Sequence, residues 1–299
     1  MTTRPILVGY DGSPSAWAAL AWAVDEAARA HRSVLLAYSF EWFNVTAPVV
    51  PEVANWSDLT ARRDAQAMVV AAAAEAAKSR ADVAVSAVLL DGPPAVALAE
   101  QSRQAALLVV GNRGHGGFAD LLVGSTSVAV AAHAHCPVVV VRGVEPDPED
   151  SGRRIVVGFD GSQCSLLALG YAFDLAMEWE VPLHVIAAWT PPPPQYVPVA
   201  YNPVAVTNAE RAALDDLLVN WRQKHPEVAV TTEVVADTPG RALVNASRNA
   251  QLVVVGSRGH GGFGGLLLGS VSQQLLHHSR CPVAVVREIP PSTEGPDDN

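Results

Sequence analysis

The sequence contains little cysteine, little lysine and few positive charges. Three cysteines among 299 residues are too few for a disulfide scaffold, and the chain does not open with a basic segment followed by an apolar core, so we do not expect an exported protein. A formal net charge of -10 at pH 7 disfavours a nucleic-acid partner, which would require a basic face. No apolar run approaches the roughly 18 residues of a membrane span. We therefore expect a cytoplasmic protein that binds neither nucleic acid nor membrane.

The two lysines, Lys78 and Lys224, stand outside any glycine-rich segment. A Walker-type phosphate loop needs a lysine directly after its glycines, so this class of protein is excluded. The nine histidines do not fall into a spacing that forms a zinc site, and we assign no metal site.

What the chain does have is a repeated stretch. The segment 111–142 aligns with the segment 256–287 without a gap, and 19 of the 32 positions are identical. A length of 299 residues, with 49% hydrophobic and 17% charged residues, is ample for two buried cores. The sequence therefore predicts two tandem domains of the same fold.

Each repeat begins with a glycine-rich segment of the form Gly-x-x-Gly-(x)9-Gly-Ser. An apolar run precedes it, so the segment is expected to leave the end of a buried parallel strand. A helix is expected to begin at the final Gly-Ser pair, where free backbone N–H groups and hydroxyls form a site for an anion. The glycines let a ligand approach the backbone closely, so the pattern predicts a phosphate-binding loop in each domain. The positions are Gly111, Gly114, Gly124 and Ser125 in the first domain, and Gly256, Gly259, Gly269 and Ser270 in the second.

A second shared motif lies near the start of each domain. A short apolar run ends in Asp11-Gly12-Ser13 in the first domain, and another ends in Asp160-Gly161-Ser162 in the second. Both patterns indicate a strand followed by a turn. One interpretation is a turn in which the aspartate bonds only its own backbone. The other is a ligand contact, which the matching glycine segments favour.

These motifs resemble those of the ATP-binding members of the universal stress protein family, and the resemblance covers nearly the whole chain. It implies an α/β fold of two tandem doubly wound domains, each a five-stranded parallel sheet in the order 3-2-1-4-5 flanked by helices. The alternation of strand and helix patterns along the chain favours the same architecture. We expect domains at 1–143 and 154–289, a linker at 144–153 and a disordered tail at 290–299.

In a sheet of this order, strands one and four lie side by side where the winding reverses, and ligands bind at such points. The resemblance implies one ATP in each domain, with magnesium as an optional companion. Asp11 and Asp160 are expected to contact the ribose. The backbone around Ser39 and Ala188, at the end of the second strand, is expected to contact the adenine.

The phosphates are expected at the glycine segments. Arg113 and Arg258 either supply positive charge there in place of a lysine or remain solvated loop residues. The other expected cofactor-binding positions in the first domain are Gly9, Gly111, Gly114, Gly124, Ser125, Thr126 and Ser127. Those in the second domain are Gly158, Gly256, Gly259, Gly269, Ser270, Val271 and Ser272.

Two further patterns have competing interpretations. The segment 259–264 matches the dinucleotide fingerprint G-x-G-x-x-G, but it follows the fourth strand rather than the first, which disfavours dinucleotide binding. The long connection after the second strand of each domain is rich in proline and aromatic residues. It either packs where the domains meet or forms a lid or docking surface.

Three functions remain open from the sequence. The leading one is an ATP-binding stress-response or signalling regulator whose nucleotide changes its conformation or partner. The second is a slow ATPase or nucleotidyl transferase, which is less favoured because no catalytic residue can be assigned. The third is a nucleotide-free scaffold. The resemblance also implies that the last strands, Val138–Val141 and Val283–Val286, pair with each other, either in a homodimer or as a pseudo-dimer within one chain.

Overall fold

A computed structural model of the chain describes residues 3–41, 51–114, 123–142, 154–193, 202–260 and 267–288. The expected linker and tail lie outside these ranges, as do most of the two long connections and the middle of each glycine segment.

Strands and helices alternate in both halves. The first half contains β1 (Ile6–Gly9), α1 (Pro14–Arg29), β2 (Val34–Phe40), α2 (Pro51–Ser79), β3 (Val85–Asp91), α3 (Pro94–Gln101), β4 (Leu107–Gly111), α4 (Ser125–His133) and β5 (Val138–Val141). The second half contains β6 (Ile155–Gly158), α5 (Gln163–Glu178), β7 (Leu183–Trp189), α6 (Pro203–Lys224), β8 (Val230–Ala236), α7 (Pro239–Ala246), β9 (Leu252–Gly256), α8 (Ser270–His278) and β10 (Val283–Val286).

All ten strands form one sheet in the order β3-β2-β1-β4-β5-β10-β9-β6-β7-β8. Each half is parallel and has the expected order, so the predicted fold class is confirmed. The halves join through β5 and β10, which pair antiparallel with Val283 opposite Val140 and Val285 opposite Val138. The last strands therefore pair within one chain. Each is also bonded to β4 or β9, so a homodimer built by pairing these same strands is excluded in this conformation.

The six central strands, β1, β4 and β5 with β6, β9 and β10, are apolar along their whole length, so the sheet is covered on both faces there. On one face Ile6 and Val8 join the core under α1, α2, α5 and α6. On the other face Leu7 joins the core under α3, α4, α7 and α8. These are the three layers of a doubly wound fold.

The sequence predicts a long helix after each of the two long connections, from about Leu59 to Ser79 and from about Ala209 to Lys224. In the structure these helices begin earlier, α2 at Pro51 and α6 at Pro203. The prolines that suggested a loop instead suit the first turn of a helix, where their missing N–H is not needed. Asn202 caps α6 by accepting bonds from the N–H groups of Val204 at 3.0 Å and Ala205 at 3.2 Å.

A buried acid lies where α1 meets the second domain. Trp179 Nε1 donates to Glu26 Oε2 at 2.8 Å, and Arg29 Nη1 donates to the same oxygen at 3.0 Å. Only 3% of Glu26 is exposed. Its pKa is raised, because burial and then the charge of Glu178 oppose ionisation more than Arg29 and Trp179 favour it.

We predict that Glu26→Gln changes how stability depends on pH. An acid whose pKa is raised on folding stabilises the protein fully below its ordinary pKa, and this contribution is lost as pH rises through the raised value. Glutamine imitates the protonated acid at every pH. Thermal unfolding from pH 4 to 8 should therefore show the variant gaining on the wild type as pH rises. The exposed Glu75→Gln should show no such trend. A melting temperature of Glu26→Gln that falls relative to that of the wild type as pH rises would contradict the assignment.

Candidate functional site

The site in each domain lies where β1 and β4, or β6 and β9, end side by side. Gly9 pairs with Val110 in parallel register, so the turn after β1 and the loop after β4 leave the sheet at the same edge. Here we call the loop 112–114 together with the start of α4 at Gly124 the first cradle. The second cradle is the loop 257–259 together with the start of α8 at Gly269.

Each aspartate faces its cradle. Asp160 Oδ1 accepts from the N–H of Ser162 at 3.0 Å, and Oδ2 accepts from the N–H of His260 at 3.2 Å. In the first domain Asp11 Oδ1 accepts from the N–H of Ser13 at 3.0 Å. The bond within the turn is thus present in both domains. The second oxygen of each carboxylate is nonetheless turned to the loop, so the two interpretations of the motif are compatible.

Asp160 is held as a carboxylate. Burial alone would raise its pKa, but hydrogen bonds from Ser162, Ser165 and the His260 N–H outweigh burial and hold the pKa below its ordinary range. A carboxylate with a lowered pKa accepts hydrogen bonds well and is a weak general base at neutral pH.

Two serines of α1 and its cap hold the first loop in place, and the sequence did not single out either for this role. Ser15 Oγ donates to Asn112 Oδ1 at 2.9 Å and accepts from the N–H of Arg113 at 3.2 Å. Ser13 Oγ lies 3.3 Å from the Arg113 carbonyl oxygen and donates to it. In the second domain Cys164 stands in place of Ser15, and its sulfur lies 3.9 Å from Ser257 Oγ.

The three glycines of the motif differ in what a side chain would meet at each position. A Cβ at Gly111 would lie 2.7 Å from the backbone of Ser15, so this glycine is required by packing. A Cβ at Gly114 would overlap the Asp11 carboxylate. Among the described residues, a Cβ at Gly124 would meet nothing closer than 3.6 Å, and the backbone there, with φ of -73° and ψ of 148°, suits any residue. No described neighbour therefore requires glycine at Gly124. Gly256, Gly259 and Gly269 repeat the same three situations, with a nearest atom at 3.4 Å for Gly269.

The helix starts present free donors to the cradles. The N–H of Gly124 donates to the Asn112 carbonyl at 2.8 Å and ties the helix start to the loop, and Gly269 does the same with Ser257 at 2.7 Å. No side chain caps α4 or α8. The first N–H groups of a helix have no acceptor within it, and they carry the positive end of its dipole. Ser125 and Ser270 are exposed at these starts, as expected.

Some expected contacts need correction. Ser127 Oγ donates to the Gly111 carbonyl at 2.7 Å, and Ser272 Oγ does the same to Gly256 at 2.7 Å. Both side chains are buried, so these hydroxyls tie the helix to the strand end and only the backbone N–H groups remain for phosphate. Because Thr126 corresponds to Val271, any contact shared by these two positions is also with the backbone.

Gly9 and Gly158 have a packing role, and their expected contact with the cofactor stays a prediction. A Cβ at Gly9 would lie 2.8 Å from Leu98 Cδ1, and one at Gly158 would lie 2.6 Å from Leu243 Cδ1. Each glycine lets the short helix α3 or α7 pack on the sheet. The sequence could not show this, because the leucine is more than 80 residues away along the chain.

The remaining expected residues surround the cradles. Arg113 and Arg258 are exposed in the loops. Ser39 and Ala188 are the penultimate residues of β2 and β7, at the same edge of the sheet as their cradles, and their adenine contact stays a prediction. Within the described ranges, no three His, Cys, Asp or Glu side chains gather into a group able to hold a metal ion. No described helix is both long and apolar enough to cross a membrane.

Fold and site together define a class: tandem doubly wound domains, each with a glycine-rich cradle at the switch point of the sheet. The model of the universal stress protein family matches residues 2–142 and 152–287. The chain belongs to the universal stress protein family.

Relatives match along the whole chain. Universal stress protein Rv2623 of Mycobacterium tuberculosis is 36% identical over 294 residues, which cover 95% of this chain and 96% of that protein. Universal stress protein Rv2005c of the same organism is 35% identical over 288 residues, covering 95% of this chain and 97% of that protein. A crystal structure of a universal stress protein from Archaeoglobus fulgidus shares the fold with a TM-score of 0.68, at 19% identity, and covers 96% of this chain and 99% of that one.

We predict that two of the motif glycines differ in their effect on stability. Gly111→Ala should lower the free energy of unfolding by about 2 kcal/mol, because the new Cβ overlaps the backbone. Gly124→Ser should leave it unchanged or raise it by about 0.5 kcal/mol, since serine is a preferred helix cap and has room. Urea unfolding of the full chain measures both. Equal losses in the two variants would contradict the distinction.

Proposed function

We propose that the chain binds one ATP in each domain and acts as a nucleotide-dependent regulator in the stress response. Family membership supports the stress-response role. The observation that carries nucleotide binding is Gly124 with its counterpart Gly269: no described neighbour requires a glycine there, and each glycine is the N-cap of a cradle helix, next to its first N–H groups. An anion on the helix N–H groups accounts for that absence of a side chain.

The opposed aspartate favours a nucleotide over a free phosphate. A carboxylate repels phosphate but accepts hydrogen bonds from hydroxyl groups. With phosphates on the helix start, Asp11 or Asp160 is placed for the ribose hydroxyls, while Arg113 and Arg258 offer charge to the outer phosphates. Magnesium can accompany the phosphates through its own waters.

Binding is favoured over catalysis. Asp160 is a poor base because its pKa is lowered, and the cradles lack the lysine of phosphoryl-transfer sites. We therefore propose at most slow hydrolysis. The scaffold alternative, in which the last strands of two chains pair, is less favoured because these strands already pair with each other within one chain.

Isothermal titration of the full chain, freed of copurified ligand, tests the proposal. We expect two ATP per chain in the wild type, one after either Gly124→Ser or Gly269→Ser, and none in the double variant. The serine hydroxyl would occupy the N–H groups that the phosphates need. An absence of binding by the wild type at millimolar ATP would refute the proposal, and full binding by the double variant would refute the cradle as its site.

A second prediction separates the ribose from the phosphates. In the Gly269→Ser background, Asp11→Ala should weaken ATP binding about 10-fold, since hydrogen bonds to a charged acceptor are lost. It should not weaken, and can strengthen, binding of inorganic tripolyphosphate, because a nearby negative charge is removed. The exposed Asp25→Asn serves as the control with unchanged affinities. An equal loss for both ligands would show that Asp11 supports the cradle itself rather than contacting the ribose.

A further inference from the structure

An arginine follows the last strand of each domain and reaches into the other domain. Arg142, directly after β5, donates through Nη2 to the carbonyl oxygens of Leu276, at 2.7 Å, and His277. Arg287, directly after β10, donates through Nη1 to the carbonyl oxygens of Ala134, at 3.1 Å, and Ala132. Both side chains are half-buried. The two arginines make equivalent contacts across the junction, one in each direction.

These carbonyls belong to the C-terminal ends of the cradle helices. Ala132 lies in the last turn of α4 and Ala134 is its C-cap, while Leu276 and His277 lie in the last turn of α8. The last carbonyl oxygens of a helix have no hydrogen-bond donor within the helix. A positive charge there is favourable because the helix dipole is negative at that end. Each arginine therefore satisfies the far end of the helix whose near end forms the cradle of the opposite domain.

The antiparallel junction explains why this is possible. The cradles lie at the carboxyl edge of each half, and these edges point in opposite directions because β5 and β10 are antiparallel. Each cradle helix starts at its own carboxyl edge and runs back to the opposite one. There it meets the residue that leaves the last strand of the other half.

We propose that Arg142 and Arg287 are positioning residues, each holding the cradle helix of the opposite domain so that its first N–H groups face the phosphates; this rests on the proposed ATP binding. Arg287 serves the first cradle and Arg142 the second. Neither site is complete within its own domain.

The expected size of the effect follows from what else holds the helices. α4 has nine residues and is about 13 Å long. A helix this short moves as a rigid body, so a shift at its C-terminal end also moves its first residues. Val130 of α4 and Leu275 of α8 are fully buried, so the helices stay in place without the arginine but are held less firmly. The contribution of a charge at a helix end then corresponds to a change in affinity of about fivefold.

A direct role in the arginine's own domain is the competing explanation. The N–H of Asn112 donates to the Val141 carbonyl at 2.8 Å, which places Arg142 next to the first cradle as well. The charge of Arg113, after burial, lowers the pKa of Arg142, which also places the two guanidinium groups near each other. An experiment must therefore show which of the two sites each arginine affects.

The test uses full-length chains with one working site. In the Gly269→Ser background, where only the first site remains, Arg287→Met should weaken ATP binding about fivefold and Arg142→Met should not. In the Gly124→Ser background the two results should exchange. Arg→Lys at the same positions should recover part of the loss, since the charge remains but the fork of donors does not. Loss at the arginine's own domain, equal loss at both sites, or no loss would each overturn the proposal.

Hydrogen exchange without nucleotide gives an independent readout. Arg287→Met should raise deuterium uptake of the amides 125–133 of α4 and leave 270–278 of α8 unchanged, and Arg142→Met should do the reverse. If the wild type proved not to bind ATP, the proposed function would fail while this measurement still decided the positioning role. Unchanged uptake in both helices would end the proposal.

Discussion

The antiparallel contact between β5 and β10 is the constraint on which the rest of the structure depends. Because Val138–Val141 and Val283–Val286 are buried on both faces and paired on both sides, the two halves share one continuous sheet. The contact fixes the cradles at opposite edges of that sheet. It also brings the end of each last strand to the end of the other half's cradle helix, so a duplicated domain gains contacts that a single copy could not make.

The glycine motif shows that one residue type can be required for unrelated reasons. Gly111 gives room to the backbone of Ser15, Gly114 gives room to a carboxylate, and Gly124 gives room to no atom of the described residues. The first two glycines are thus explained by packing within the protein. The third is the one that the proposed ligand would explain.

Much of the fold and part of the site could be predicted from the sequence. Apolar runs, glycine segments and their repetition predicted the strands and the helix starts at Ser125 and Ser270. The strand order implied by the family resemblance predicted that the aspartates face the loops. The start of α6 was misplaced because Pro203 was read as a loop signal, whereas Asn202 makes it a capped first turn. The packing role of Gly9 was not predicted, because its neighbour Leu98 is brought near only by tertiary packing.

Contacts between the domains were beyond any local pattern. The arginine caps depend on two segments more than 130 residues apart, and the buried bond between Glu26 and Trp179 joins residues with no counterpart at the repeated positions. A repeat predicts what its copies share. It cannot predict the contacts that form only where the two copies meet.

The two cradles share their backbone design but differ in what supports it. In the first, Ser15 makes two hydrogen bonds to the loop, one to the Asn112 side chain and one from the Arg113 N–H. In the second, Cys164 offers a weak sulfur contact to Ser257, and the loop is held by the bond between the His260 N–H and Asp160. Because thiols are weaker hydrogen-bonding groups than hydroxyls, Cys164 ties the second loop less firmly than Ser15 ties the first. Asp160 also helps to hold the second loop, so two cradles with the same backbone design are supported by different side chains.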